Sequence, residues 1–339
     1  MIKIWPDSLD ANWHRPMGSF LFCKDLVTYN PEEFEIASSI QSCDCIMLPQ
    51  FSNCPVSYIF DFNKADYIEK IRKPIILQND GGGIPAGWEQ SELGKYIWGT
   101  FCSLIKVFFS VECYPWHRKE LPDGINYVPF DFVGYSDFGL GLREVPPLQS
   151  KEDYLKRPLA TSVAMSVYPP TRDVLWELLH ENHWSHYSFN TNPTYSPYRT
   201  QRISWEEMAN QMKSSRISFA PDGATAKTER HLFVPAFSAM MLQEDSVEFA
   251  FPWIDGENCF KLEHDFFEGF EREKEQEYKM NGHNIRVLNK ENTREKILGL
   301  LANPDLLYEV YKNGYENARN YELPNYFKNH IGTTIKKHL

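Results

Sequence analysis

Residues 216–242, RISFAPDGATAKTERHLFVPAFSAMML, decide the fold class of this chain. They open with a short apolar run that predicts a buried strand. The Pro-Asp-Gly that follows is a chain-reversal signal, because glycine adopts positive φ without steric cost. A helix interrupted by Pro235 and a second apolar run come next. Strand, loop, helix and strand in this order are typical of a parallel sheet with crossover helices.

The first half of the chain repeats this arrangement. Continuous apolar runs predict strands covered on both faces, rather than the alternating strands of a half-exposed sheet. These runs are MIKIW (1–5), CDCIMLP (43–49), KPIILQND (73–80), IKVFFSV (105–111) and INYVPF (125–130). The segments PEEFEIASSI (31–40) and SELGKYIWGTF (91–101) are predicted to be crossover helices. The predicted fold class is therefore α/β.

A change in composition divides the chain into two predicted domains. Residues 141–158, GLREVPPLQSKEDYLKRP, carry three prolines and no sustained periodicity, which is typical of a linker. We expect an N-terminal domain over 1–150, a second domain over 158–325 and a C-terminal tail over 326–339. Two Rossmann-like α/β domains of this kind are expected to face a cleft at the carboxyl ends of their sheets.

Composition argues against several classes of protein. The formal net charge of −11, without clustered Lys and Arg, argues against nucleic acid as a partner. The chain has no run of about 18 apolar residues, so no transmembrane segment is expected. Its seven scattered cysteines predict buried thiols and a cytoplasmic location, with peripheral membrane association left open. The histidines of LLHENHWSH (178–186) do not form a known zinc motif, so no metal site is predicted.

The polar residues that open the helix of the first segment indicate an anion site. At a strand-to-helix junction, free backbone N–H groups and the helix dipole favour a group such as a diphosphate. Lys227, Arg230 and His231 add side-chain donors there. A purely structural explanation stays open, in which Thr228 caps the helix and Glu229 complements its dipole.

Three quoted segments resemble the C-terminal half of GT-B glycosyltransferases, most of all the exostosin-like and spore-protein-like groups. They are TERHLFVPAFSAMML (228–242), FPWIDGENCFKLE (251–263) and NTREKILGLLANPDLLYEVYKNGYENARNYE (292–322), and the resemblance covers 158–325. It implies a nucleotide-sugar donor held by the second domain, with phosphate or ribose contacts from Arg230 and His231. The sequence departs from those groups at Phe233, where they tend to place a ribose-binding Glu. Glu229 is the carboxylate available instead.

The predicted activity is transfer of a sugar from a nucleotide-sugar donor to a carbohydrate or glycolipid acceptor, without a metal or other cofactor. Two alternatives stay open: a nucleotide-sugar epimerase of the same fold, and a non-catalytic carbohydrate-binding protein with a decayed donor site. The predicted donor-binding residues are Arg172, Asp222, Gly223, Thr225, Lys227, Thr228, Glu229, Arg230 and His231. Arg172 is included because it follows the first strand of the second domain and its bidentate guanidinium suits a phosphate.

Asp80 is the predicted catalytic base. It ends an apolar strand immediately before three glycines, where the backbone can approach a ligand closely, although a plain turn would use the same residues. If the reaction inverts the sugar, a carboxylate of the first domain should deprotonate the acceptor hydroxyl. The predicted acceptor-binding residues follow the first strand, and they are Asp7, Asp10, Trp13 and His14. Asp7, Asp10 and Glu112 are the substitutes for Asp80.

Overall fold

The computed structural model of the protein describes a defined set of residues. They are residues 1–6, 18–50, 72–79, 103–111, 113, 118, 121–131, 145–162, 164–165, 175, 178, 187–188, 205–220, 230–242, 247–262, 264–266 and 286–339. None of the helices in these ranges is long and apolar enough to cross a lipid bilayer.

The chain divides into two compact units that each draw on more than one segment. Unit 1 comprises Met1–Arg143, Ser246–Ala250 and Glu322–Leu339. Unit 2 comprises Glu144–Asp245 and Phe251–Tyr321. The last 18 residues, most of which were predicted to form a tail, therefore belong with the N-terminal segment.

Unit 1 is built on a six-stranded sheet in which every paired strand is parallel. Its strands are β1 (Ile2–Pro6), β2 (Phe34–Ile36), β3 (Cys45–Gln50), β4 (Ile75–Asn79), β5 (Ile105–Ser110) and β6 (Asn126–Pro129), in the order β2-β1-β3-β4-β5-β6. Helix α1 (Gly18–Tyr29) follows β1. The strands therefore extend in both directions from β1, which is the pattern of a doubly wound sheet.

The two faces of this sheet bury different hydrophobic clusters. On one face, Ile46, Leu48, Leu77 and Phe108 belong to a single buried cluster. On the other face, Phe109 packs against Phe22 of α1 with the ring centroids 5.8 Å apart. Side chains of a strand alternate between faces. Burial on both faces therefore explains why these strands appear in the sequence as continuous apolar runs.

A helical run at the C-terminus completes unit 1. It consists of α7 (Leu323–Asn325), a π-helix (Tyr326–Gly332) and α8 (Thr333–His338). The buried Asn30 side chain donates hydrogen bonds to the Leu26 carbonyl at 2.9 Å and to the Phe327 carbonyl at 3.3 Å. It thus joins the end of α1 to the π-helix. Phe327 also contacts Phe22, with the ring centroids 5.5 Å apart.

Unit 2 contains a second parallel sheet. The strands with this arrangement are β7 (Leu159–Ser162), β10 (Ser215–Ala220), β11 (Ala239–Leu242) and β12 (Phe260–Lys261), in the order β12-β11-β10-β7. A short parallel pair joins β8 (Ala164–Met165) to β9 (Tyr187–Ser188), and an antiparallel pair joins β13 (His264–Phe266) to β14 (Arg286–Leu288). The side chains of β10 from Ile217 to Ala220 are all buried, as expected for a central strand.

Three helices of unit 2 begin at a side-chain cap, and these are α2 (Lys151–Leu155), α5 (Lys290–Leu301) and α6 (Pro304–Arg319). The unit also contains α3 (Trp205–Ser214) and α4 (Arg230–Phe237). Asn303 caps α6 by accepting from the Leu306 amide, and Pro304 occupies the first turn, as the sequence predicts. The buried residues of α6 recur at helical spacing along one face, which packs against α4.

Three local predictions were wrong. The segment 31–40 is not a crossover helix, because Phe34 is buried in β2 through parallel pairing with Ile2 of β1. The segment 141–158 is not wholly a linker, since Ser150 caps α2 and Tyr154 is buried. The sequence predicts a capping box of Asn292 and Glu295 for helix α5, but the helix begins earlier: its cap is Asn289, which accepts from the Asn292 amide. The predicted helix 91–101 lies outside the described residues.

Candidate functional site

The order of the strands marks one edge of the unit 1 sheet as a ligand-binding edge. In open α/β sheets, ligands bind beyond the carboxyl ends of the strands at the point where the strand order reverses. Here the order reverses at β1, which has β2 on one side and β3 on the other. β1 ends at Pro6, so the loop with the predicted acceptor-binding residues leaves the sheet at this point. Those residues themselves lie outside the described part of the chain.

Three polar residues form a row across this carboxyl edge. Gln50 of β3 is the register partner of Asn79 of β4, and Asn79 is the partner of Ser110 of β5. Ser110 lies two residues after Phe108, a member of the apolar cluster, and so it shares the face of the sheet that this cluster covers. A polar residue therefore replaces an apolar one on this face where β5 ends. Asp80 is the next residue after Asn79 but lies outside the described ranges.

Ser110 is a site residue that the sequence did not single out. Its side chain is fully buried, and its Oγ atom has no hydrogen-bond partner among the described residues. Its carbonyl accepts from the Phe130 amide at 2.7 Å, which fixes the backbone at the end of β5. A buried hydroxyl without a partner can offer a hydrogen bond to a bound polar group. The sequence signal is a serine that ends the run IKVFFS.

The equivalent edge of unit 2 carries the strand-to-helix junction that the sequence marks as an anion site. The central strand β10 ends at Ala220, and α4 begins at Arg230. The nine residues between them lie outside the described ranges. Because the first backbone N–H groups of a helix have no partner within the helix, the start of α4 at this edge is suited to an anion.

Arg230 and His231 occupy the first turn of α4 in different environments. Arg230 is partly exposed. His231 is buried, with 1% of its surface exposed, as are all the later residues of this helix. Of the two predicted donor-binding residues that the structure describes, Arg230 is thus the more exposed one.

Phe233 belongs to the core of unit 2. Its side chain is buried, with 5% of its surface exposed. The aromatic ring has neither a donor nor an acceptor for a ribose hydroxyl, so this position packs the helix and does not supply the function of a glutamate. The departure that the sequence shows at Phe233 is therefore a structural feature of α4.

Most of the predicted site residues lie outside the described ranges. They are Asp7, Asp10, Trp13, His14, Asp80, Glu112, Arg172, Asp222, Gly223, Thr225, Lys227, Thr228 and Glu229. The histidines of 178–186 also lie outside. Within the described ranges, no group of three or more His, Cys, Asp or Glu side chains is placed to hold a metal ion.

Comparison with known proteins gives only distant similarities. No protein family model matches the chain, and no curated protein is similar in sequence. Among solved structures, the chain is similar to the GtfA/B complex (9% identity, TM-score 0.47, covering 86% of this chain and 56% of that chain). It is also similar to the trehalose-6-phosphate synthase OtsA (8% identity, TM-score 0.47, covering 97% of this chain and 79% of that chain). A third similar structure is a UDP-N-acetylglucosamine 2-epimerase (9% identity, TM-score 0.38, covering 92% of this chain and 77% of that chain). The α/β fold class itself follows from the two parallel sheets.

Proposed function

We propose that this chain is a GT-B glycosyltransferase that moves a sugar from a nucleotide-sugar donor to a carbohydrate or glycolipid acceptor. Unit 2 holds the donor and unit 1 holds the acceptor. The finer relationship to the exostosin-like and spore-protein-like groups belongs to the same proposal. The enzyme works in the cytoplasm and needs no metal.

The observation that carries the proposal is the partly exposed Arg230 in the first turn of α4. This turn follows the central parallel strand β10 and lies at the edge where open α/β sheets bind ligands. A permanently charged guanidinium beside free helix N–H groups suits a diphosphate, which it can contact through two parallel hydrogen bonds. Lys227 and Arg172 are the further cations of the proposed donor site.

The same arrangement accounts for the chemical step. The diphosphate gains negative charge as its bond to the sugar breaks, and positioned N–H and guanidinium groups stabilise that charge most in the transition state. Asp80 of unit 1 accepts the proton of the attacking acceptor hydroxyl. Because the donor site supplies its own cations, turnover is expected to persist in EDTA. Loss of activity in EDTA that manganese or magnesium restores would contradict this part.

Arg230→Ala provides the direct test. Loss of a hydrogen bond to a charged group costs about 1.5 to 3 kcal/mol, so the variant should bind nucleoside diphosphates about 10- to 150-fold more weakly by calorimetry. Arg319→Ala is the matched control, because Arg319 lies at the end of α6 and is paired with Glu316 at 3.7 Å. Equal affinity of the wild type and Arg230→Ala would refute the donor site. His231→Ala should affect nucleotide affinity less, because its ring is buried.

Nucleotide release separates the proposed activity from its two rivals. A transferase releases the nucleoside diphosphate only when acceptor is present, whereas an epimerase of the same fold reacts without an acceptor. A carbohydrate-binding protein with a decayed donor site, which the buried Phe233 favours, releases none. Purified protein should therefore be incubated with UDP- and GDP-sugars, with and without a panel of oligosaccharide and glycolipid acceptors.

A further inference from the structure

A pocket of about 390 Å³ lies on unit 1, beside the edge strand of its sheet. One wall is the edge strand β6 with the loop before it, and the other is the end of α8. Leu121 and Ile125 give the pocket an apolar part. The ionisable side chains among the described lining residues, apart from Tyr127, are basic, and they are Arg118, Lys337 and His338. All of these residues belong to unit 1.

The guanidinium of Arg118 is held at the pocket wall by two fixed partners. Nη1 donates to the Tyr127 carbonyl at 2.7 Å, and Nη2 donates to the Glu248 carboxylate. The group also lies 5.8 Å from the centre of the Tyr127 ring. The hydrogen bond that Arg118 donates to Glu248 is the main reason that the pKa of Arg118 is raised. A guanidinium has five N–H donors, so this one is oriented and still has donors for a ligand.

Lys337 differs from its neighbour Lys336 in its electrostatic partners. Lys336 forms a salt bridge with Glu33 at 2.5 Å, whereas Lys337 forms none with any described carboxylate. Lys337 lowers the pKa of His338, although burial of the imidazole has the larger effect. Arg118 and Lys337 are therefore the permanent cations among the described lining residues. Of these two, Arg118 is paired with a described carboxylate, that of Glu248.

The basic lining of the pocket contrasts with the acidic composition of the whole chain. The protein has 46 acidic residues against 35 Lys and Arg, yet no acidic side chain is among the described residues that line this pocket. Arg118 and Lys337 are permanent cations in the lining and attract an anion, and the His338 ring can donate a hydrogen bond to it. Lys337 and His338 also complement the C-terminal dipole of α8, but that effect alone does not require Arg118 on the opposite wall.

We propose that this pocket binds the phosphate group of a ligand through Arg118, Lys337 and His338. The apolar part beside Leu121 and Ile125 accommodates the rest of the ligand. A soluble phosphomonoester and a lipid phosphate headgroup offer the same chemistry to these side chains. The inference does not rest on the proposed glycosyltransferase activity, because the pocket lies in unit 1 and the proposed donor site lies in unit 2.

The test follows the ring resonances of His338 by NMR during titration with inorganic phosphate at constant ionic strength. Phosphate should shift these resonances with saturation in the wild type. Lys337→Ala should weaken the affinity about tenfold, the low end for a lost hydrogen bond to a charged group. Lys336→Ala removes the same charge from the same helix turn but no pocket contact, so its affinity should stay within about twofold.

Two outcomes would overturn the proposal: no saturable shift in the wild type, or an equal loss in both lysine variants. The first means that there is no site, and the second means that only general charge attraction operates.

A second arm identifies the source of the phosphate group. Co-sedimentation with phosphatidylcholine vesicles that contain phosphatidic acid, if it depends on Lys337 but not on Lys336, supports a lipid headgroup. Binding of glycerol 3-phosphate at the His338 resonances without vesicle binding supports a soluble phosphomonoester.

Discussion

The rings of Tyr154 and Tyr311 stack with their centroids 4.5 Å apart and 7° between their planes. Arg157 covers this pair, with its guanidinium carbon 4.4 Å from the centre of the Tyr154 ring. Its Nη1 donates to the Ser215 carbonyl at 2.5 Å and its Nε to Gln149 Oε1 at 2.9 Å. Burial lowers the pKa of Arg157 and raises the pKa of both tyrosines. This cluster anchors α2 and α6 to the start of β10.

Arg157→Met is therefore expected to destabilise unit 2 strongly. The substitution retains much of the apolar volume but leaves the buried carbonyl of Ser215 without its donor, which costs about 1 to 3 kcal/mol. Loss of the bond to the half-buried Gln149 adds a smaller cost. Urea unfolding followed by circular dichroism measures the change. Lys156→Ala is the matched control, because Lys156 is exposed and its pair with Glu152 is worth about 0 to 1 kcal/mol. Equal midpoints for the two variants would contradict the role of the cluster.

Two helical glycines give a second contrast. A Cβ atom at Gly314 of α6 would lie 2.6 Å from the backbone carbonyl oxygen of Asn258, a contact that backbone cannot relieve cheaply. Gly314→Ala should therefore destabilise the protein, by about 1 to 3 kcal/mol as for other overpacked sites. At Gly299 of α5, no heavy atom of the described residues outside the backbone of its own helix and its chain neighbours lies within 4 Å of the added Cβ. Gly299→Ala should stabilise the protein by about 0.5 to 1 kcal/mol, because alanine favours the helix.

Thermal unfolding of both variants under one buffer condition is the measurement. The unfolding temperature is expected to fall for Gly314→Ala and to rise for Gly299→Ala. A general effect of adding a methyl group would instead change both unfolding temperatures in the same direction. A neutral Gly314→Ala would mean that α6 and the loop containing Asn258 are not packed as closely as described.

The parallel strands could be predicted because their signal is local. Burial on both faces of the sheet forces a continuous apolar run, and all five runs of the first half are strands of unit 1. Strand β2 was missed because it is only three residues long and follows Pro31 and two glutamates, a pattern typical of a helix start. Its pairing with β1 is a tertiary contact that no local pattern reveals.

The site was predictable to a smaller extent. The first turn of α4 could be located, because a chain reversal between two apolar runs fixes where the helix follows the strand. The burial of Arg230 and His231 within that turn could not be predicted, because it depends on which side of α4 faces the sheet. The pocket of Arg118 and Lys337 could not be predicted from the sequence either, because its lining residues lie more than 200 positions apart in the chain. Such a site has no sequence spacing to recognise.

The buried thiols predict a loss of stability at alkaline pH. Burial raises the pKa of Cys259 from its ordinary value of 9.0 to about 12, so the folded state retains the proton that the unfolded state loses. The resulting stability is fully present below pH 9 and is lost as the pH rises from 9 towards 12. Each such thiol contributes a slope of up to about 1.4 kcal/mol per pH unit in that window.

Urea midpoints between pH 8 and pH 10.5 measure this slope. Cys259→Ala removes the titrating group. The stability of this variant should therefore fall less steeply with pH than that of the wild type, although the variant is less stable than the wild type at pH 8. At pH 8, iodoacetamide should leave the five buried cysteines unmodified in the native protein and label them in urea. These are Cys23, Cys43, Cys45, Cys113 and Cys259. Rapid labelling of Cys259 in the native state would contradict its burial.

The final prediction concerns Asp80 as the general base. Asp80 directly follows Asn79, the last residue of β4, and ligands of open α/β sheets bind beyond the carboxyl ends of the strands. We therefore propose that the Asp80 carboxylate accepts the proton of the acceptor hydroxyl. Asp80→Asn retains the shape of the side chain and removes the base, so sugar transfer should fall about 10²- to 10⁴-fold. Donor affinity should stay constant, because the donor is proposed to bind unit 2.

Single-turnover transfer and nucleotide binding should be measured together for Asp80→Asn, Asp7→Asn and Asp10→Asn. A reduced rate with unchanged donor affinity assigns proton abstraction, because the loss then lies in the transition state and not in donor binding. Asp7 and Asp10 follow β1 at the reversal of strand order, so they test whether the base lies there instead. If transfer by Asp80→Asn is near normal while Asp7→Asn or Asp10→Asn is slow, the base belongs to the loop after β1. If all three transfer normally, the reaction uses no carboxylate base from these loops, which is what a retaining mechanism requires.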